Sequence, residues 1–228
     1  MSAVVALWGA GTPRTLRPIW AAEEVGIDYD LEPIGPRTGE TQTPEFTALT
    51  PKQKVPLLVQ DDFRLSESLA ITRHLLASYP AEDIYRPATP EERAREDEWC
   101  CHLYGELDET SLYVMRRHGD LGPIYGSAPD VVQSAREYAA RQLVAVDRLL
   151  GHRQTVLEGG FGLADLFLQS CLDWAAAYEV EMPEGLETYR LRTARRDAYQ
   201  RAMRANYGEK FGPEIGSRHE LNTCGETS

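Results

Sequence analysis

Cysteine is scarce in this chain, and its four residues, Cys100, Cys101, Cys171 and Cys224, include no pair at CxxC spacing. A zinc ribbon or dithiol redox motif of that kind is excluded, and the cysteines read as core and tail thiols in a reducing compartment. Positive charge is also short, with 24 Lys and Arg against 36 Asp and Glu and a net charge of −12. Nucleic-acid affinity comes from displacing counterions with Lys and Arg, so a nucleic-acid partner is not expected. An anionic membrane surface is disfavoured for the same reason. No apolar run reaches the roughly 18 residues of a membrane span. Met1 to Trp8 lacks a basic n-region and breaks at Gly9, which argues against a signal peptide, and the chain reads as cytoplasmic. The five histidines stand singly and suggest no metal site.

What is present is ordinary for a globular protein: 228 residues, 42% hydrophobic and 26% charged. A chain of this length buries about three quarters of its unfolded surface, so it needs no staple. The first eighty residues alternate between strand and helix periods. Val4 to Trp8 reads as a buried strand; Thr12-Pro13 then opens a helix running to Val25 and stopping at Gly26. Ile27 to Ile34 alternates as a strand, and Thr43 to Leu49 supplies one or two helical turns. Val55 to Val59 and Phe63 to Leu65 form a hairpin, and Glu67 to Tyr79 a helix. This βαβ–ββα order predicts an α/β domain over 1–80. Residues 81–90 read as a linker.

Thr89, Pro90 and Glu92 set a capping box, after which everything is helical. One long helix is expected from Glu91 to His118, a second through Val131 to Leu150, and a buried one over Leu163 to Tyr178. Glu184 to Asn206 is basic and amphipathic, divisible into two short helices. The second domain is therefore all-α over 91–207, with a polar tail at 208–228.

Three features of the first domain carry chemistry. Thr12 places a hydroxyl and free backbone N–H groups at a helix start, where negative charge is stabilised; most such pairs only cap. Val55-Pro56 begins an edge strand, and X-Pro is the one bond commonly cis. A cis bond would turn the Val55 backbone toward an extended peptide, whereas an edge proline alone merely blocks aggregation. Ser68 stands at another helix start and can bind a carboxylate, while Glu67 offers an ammonium partner; the plainer reading has Ser66 capping the first turn.

Taken together, Thr12-Pro13, Lys54-Val55-Pro56 and Glu67-Ser68-Leu-Ala-Ile71 resemble the glutathione transferase family, of the cytosolic, bacterial theta- and nu-like type. Gly162-Leu-Ala-Asp165 is similar to the family's capping motif, and Arg195 to Met203 to its C-terminal Arg-x-Ala-x-x-Arg-Ala stretch. The resemblance spans roughly residues 3–205. It implies a thioredoxin-like first domain and an all-helical bundle after it, a homodimer, and glutathione as co-substrate without a metal. Carried over, Thr12 becomes the donor to the thiolate, with Thr15 as runner-up. Val55 and Pro56 would template the cysteinyl backbone, Glu67 and Ser68 the γ-glutamyl end, Lys54 the glycine carboxylate, and Arg14 would be a nearby cation. The electrophile is expected near Trp99, His102, Leu103, Tyr104 and Leu107.

The chain also departs from the family. Thr12 stands where many members carry Ser, Tyr or Cys, and Thr50-Pro-Lys-Gln-Lys54 replaces Asn-Pro-x-Gly-Lys. Gly162 has no hydroxyl with which to cap its helix, and Pro18 interrupts the first helix. The leading reading is conjugation of glutathione to a small apolar electrophile. Thr-Pro keeps open a glutathione-dependent disulfide or peroxide reductase on the same fold, and the absent Ser a non-catalytic glutathione- or protein-binding protein.

Overall fold

The computed structural model describes residues 4–208, which divide into two compact units: residues up to Arg86 together with those from Ala194 onward, and Pro87–Thr193. The polar tail expected over 208–228, with Cys224, lies beyond Gly208 outside the described residues.

The first unit is built on strands β1 (Val5–Trp8), β2 (Tyr29–Glu32), β3 (Leu57–Gln60) and β4 (Phe63–Ser66). They form one mixed sheet in the order β2-β1-β3-β4. β1 runs parallel to β2, with Leu7 opposite Leu31, and antiparallel to β3, with Leu7 opposite Leu58. β3 and β4 form the hairpin read from the sequence. Helices α1 (Pro13–Val25), α2 (Pro44–Leu49) and α3 (Ser68–Ser78) complete the βαβ–ββα order, the thioredoxin-like arrangement. α1 starts and stops as its caps predict: Thr12 and Thr15 form a reciprocal capping box, and Gly26 closes the helix in the left-handed region at φ 68°. The helix continues through Pro18.

One boundary differs from the sequence reading. The second domain was expected to run from 91 to 207, but residues from 194 onward belong to the first unit. Their helix, numbered α10 below (Asp197–Tyr207), packs on α1. Trp20 meets Tyr199 edge-on at 4.9 Å, and both are fully buried. Arg196 grips Glu24 with both its Nε (2.7 Å) and Nη2 (2.8 Å), while Trp20 Nε1 donates to the same carboxylate. Arg201 and Tyr29 both donate to Glu23, and burial followed by that carboxylate pushes the Tyr29 phenol well above its usual pKa. Glu24→Gln should therefore cost about 1–2 kcal/mol, allowing for the partial exposure of Arg196. Thermal melting should register this as a fall of roughly 2–8 °C.

The second unit contains α4 (Pro90–His102), α5 (Tyr113–His118), α6 (Gly122–Tyr125), α7 (Pro129–Leu150), α8 (Leu163–Ala177) and α9 (Glu184–Thr193). The long helix expected from Glu91 to His118 is continuous but not uniform: Leu103–Leu112 is π-helical between α4 and α5. Tyr113 N–H donates five residues back, to the Asp108 carbonyl. α8 is buried almost throughout, as its apolar run predicts. Its Gly162 start is pinned from the third position instead of by a cap hydroxyl. Asp165 accepts from Gly162 N (3.0 Å), Val156 N (2.7 Å) and the Tyr189 hydroxyl (2.6 Å). Among the described residues, no helix is long and apolar enough to cross a membrane.

Candidate active site

The C-terminal end of β1 delivers the chain to the start of α1. Gly9, at φ +110°, makes this turn against Val55: a Cβ at Gly9 would lie 2.5 Å from the Val55 Cβ and 2.9 Å from Thr15 Cγ2. Only a residue without a side chain allows that approach. It brings Thr12 and Val55, more than forty residues apart in sequence, to one region of the first unit. The Val55–Pro56 bond is cis.

At the helix start the hydrogen bonds are dense. Thr12 Oγ1 accepts from Thr15 N, and Thr15 Oγ1 accepts from Thr12 N, each at 3.0 Å. The two hydroxyl oxygens are themselves 3.0 Å apart. Thr15 Oγ1 also faces Asn206 Oδ1 at 2.7 Å and the Thr12 carbonyl at 2.9 Å. Thr15 is fully buried, at 0% exposure, against 9% for Thr12. Of the two threonines read as candidates, Thr12 is the one that retains contact with the surface.

At the start of α3, Ser68 is buried and Arg17 Nη1 donates to its Oγ at 3.2 Å. The Ser68 hydroxyl proton is then not needed for that bond and can be offered elsewhere. Ser66 is not the cap: its Oγ accepts from Lys52 Nζ at 2.9 Å, and Glu67 occupies the N-cap position without a side-chain capping bond. Glu67 holds φ +75°, a backbone conformation that costs a non-glycine residue about 1–3 kcal/mol. Its exposed carboxylate pairs with Lys52 at 2.7 Å. Lys54 is exposed and Arg14 half-buried.

Three residues escaped the sequence reading. Arg17 reads as an ordinary helix-surface cation, yet it is fully buried. Lys52 is separated by only one residue from the lysine that was chosen, and nothing local distinguishes them. Asn206 is a lone asparagine near the end of a C-terminal helix, with no motif around it.

The five residues expected beside the electrophile all lie in the second unit. Trp99, Leu103 and Leu107 are buried, and the π-helical stretch carrying the two leucines packs against α7 and α8. All three belong to the buried core of that unit. His102 is half-buried with Nε2 unpartnered, and Tyr104 is exposed with its ring edge-on to Phe167. Among the described residues, no group of three or more His, Cys, Asp or Glu could hold a metal ion.

Known proteins resemble this chain in sequence and in fold. A family model described as "Glutathione S-transferase, N-terminal domain" matches residues 3–77. Glutathione S-transferase 3 of Zea mays is 29% identical over 161 residues, 68% of this chain and 70% of its own. Glutathione S-transferase theta-1 of Bos taurus is 30% identical over 168 residues, 72% of this chain and 66% of its own. The crystal structure of the theta class glutathione S-transferase from Xanthomonas axonopodis pv. citri, with glutathione bound, superposes with a TM-score of 0.75 at 28% identity. It covers 89% of this chain and 97% of that one. The chain belongs to the cytosolic glutathione S-transferase family and is a glutathione transferase enzyme.

Proposed function

We propose that this enzyme joins the glutathione sulfur to a small apolar electrophile, with Thr12 as the hydrogen-bond donor that stabilises the thiolate. A free thiol of this type ionises near pH 8.5, so only a few per cent is nucleophilic at neutral pH. A hydroxyl and a helix N-terminus aimed at the sulfur lower that pKa, as an oxyanion hole favours its anion. The thiol proton passes to solvent. The sulfur pair then forms the S–C bond, and the displaced group leaves with its bonding pair. The observation that carries this reading is the asymmetry of the two threonines: Thr15 is sealed among inward partners at 0% exposure, while Thr12, though largely buried, keeps 9% of its surface open to solvent.

The remaining roles follow charge. Val55 offers backbone N–H and C=O groups to the cysteinyl residue. Lys54 meets the glycine carboxylate. Ser68 donates to the γ-glutamyl carboxylate, positioned by Arg17 behind it. Glu67 takes the ammonium, in competition with Lys52. Ser68→Ala and Glu67→Gln should each weaken glutathione roughly ten- to hundredfold, from about 1.5–3 kcal/mol per charged hydrogen bond. Isothermal titration with reduced glutathione checks this; unchanged affinity in both would move the γ-glutamyl end elsewhere. Cytoplasmic location and a homodimer belong to the same reading and rest on resemblance.

Thr12-Pro13 favours one competing reading, reduction of a disulfide through a mixed glutathione disulfide. Retention on immobilised glutathione, followed by assays with an aryl halide and with a small disulfide, separates the two. Turnover of the halide supports conjugation; turnover of the disulfide alone selects the reductase. Retention without either turnover would overturn both.

A further inference from the structure

We infer that Asn206, on the C-terminal helix, is a positioning residue that aims the Thr12 hydroxyl; the inference rests on the reading of Thr12 as thiolate donor. Asn206 is 2% exposed and reaches the start of α1 from nearly two hundred residues away. Its Nδ2 donates to the Thr12 carbonyl at 3.1 Å. Its Oδ1 accepts from Gly11 N at 3.2 Å and stands 2.7 Å from the Thr15 hydroxyl. The Gly11 N–H also meets the Asn206 backbone carbonyl at 2.9 Å.

These partners fix which way the amide faces. Turned over, its NH2 would oppose the Gly11 N–H and its oxygen would oppose the Thr12 carbonyl, donor against donor and acceptor against acceptor. With Oδ1 so placed, the single Thr15 hydroxyl proton is shared between Asn206 Oδ1 at 2.7 Å and the Thr12 carbonyl at 2.9 Å. The oxygen of Thr15 is left to accept from the Thr12 N–H.

Both peptide planes flanking Thr12 are thereby tied to one side chain. The preceding plane is held through Thr15, and the following plane is held directly at the Thr12 carbonyl. Pro13, next in the chain, has no N–H to contribute a competing bond. The direction of the Thr12 hydroxyl is set by Asn206, and the Gly11 N–H is consumed inside the clamp instead of facing the sulfur. The seam that delivers Asn206 is the α1–α10 contact, anchored by Glu24 with Arg196 and by Trp20 with Tyr199. Thiol acidity is in this way coupled to the docking of the C-terminal helix.

The test is the pKa of glutathione bound to folded protein, followed by thiolate absorbance in the ultraviolet at saturating ligand. Asn206→Ala should raise it by about half a unit to one unit, a three- to tenfold loss of ionisation at fixed neutral pH. Asn206→Asp keeps both acceptor contacts, replaces the donor to the Thr12 carbonyl and adds a negative charge, so it should raise the pKa further. Thr15→Ser keeps the hydroxyl and should leave the pKa near that of the parent. A purely structural Asn206 would lower the melting temperature of these variants without moving the bound thiol's titration. That result, alongside a clear shift in Thr12→Val, overturns the inference while sparing the reading of Thr12. No shift in Thr12→Val overturns the reading itself, and the inference with it.

Discussion

Thr12→Val is expected to cut the conjugation rate at neutral pH by an order of magnitude or more. Valine matches threonine in shape and removes only the hydroxyl. A hydrogen bond to a charged acceptor contributes about 1.5–3 kcal/mol, so its loss should raise the bound thiol's pKa by about one to two units. Raising the pH should recover much of the rate, because bulk base can then form the nucleophile. The signature in a pH–rate profile is a midpoint moved upward with a similar plateau. Thr12 Oγ1 also accepts from Thr15 N at 3.0 Å, so the substitution removes a cap worth about 1 kcal/mol, and the folded fraction must be measured beside the rate. An unshifted midpoint would pass the role to the backbone N–H groups of the helix start. Thr15 could not inherit it unchanged, since it is fully buried and bonded inward.

Gly9→Ala should produce the largest loss of stability. The left half of the backbone map, where side chains are comfortable, is closed to this residue at φ +110°. Holding alanine there costs about 1–3 kcal/mol. The added methyl would also sit 2.5 Å from the Val55 Cβ and 2.9 Å from a Thr15 methyl, neither of them the flexible end of a long side chain. Relieving that overlap costs about 1–3 kcal/mol more. Each kcal/mol lowers the melting temperature of a chain this size by about 2–4 °C, so a fall of roughly 10 °C is expected. Because Val55 and Thr15 are the groups displaced, glutathione affinity should drop in the fraction that remains folded. A variant that melts and binds like the parent would show that β1 and the Val55 loop do not approach this closely.

Local chemistry explains what could be read from the sequence. Thr12-Pro13 and Gly26 punctuate α1, Thr89 and Glu92 cap α4, and the apolar run from Leu163 marks a buried helix; each signal lies within a few residues of what it specifies. Thr12, Val55 and Ser68 could be singled out because cap and X-Pro signals are of the same short range, although the strand that Pro56 opens, β3, lies inside the sheet between β1 and β4 and not at the edge expected for it. What escaped depends on contacts between distant segments. α10 looks like one more amphipathic helix until Trp20 and Glu24 are seen to face Tyr199 and Arg196, so its place in the first unit is invisible to periodicity. No local signal separates Arg17 from a solvated helix cation, whereas here it is buried and Ser68 accepts from it. For Leu103 and Leu107 an apolar stripe does not disclose which neighbour covers it; here the stretch that carries them packs against α7 and α8. The π-helical turn around them left no mark in the spacing of side chains that a straight α-helix would also satisfy.

The central claim is that the start of α1 makes glutathione a better nucleophile by stabilising its thiolate. The most direct measurement is an ultraviolet titration of reduced glutathione bound to the unaltered protein, against free glutathione in the same buffer. The account predicts a bound thiol that ionises at least about one unit below the free value near 8.5, a tenfold gain in thiolate at neutral pH. A bound thiol that titrates at or above the free value would contradict it, whatever rate the enzyme then displays.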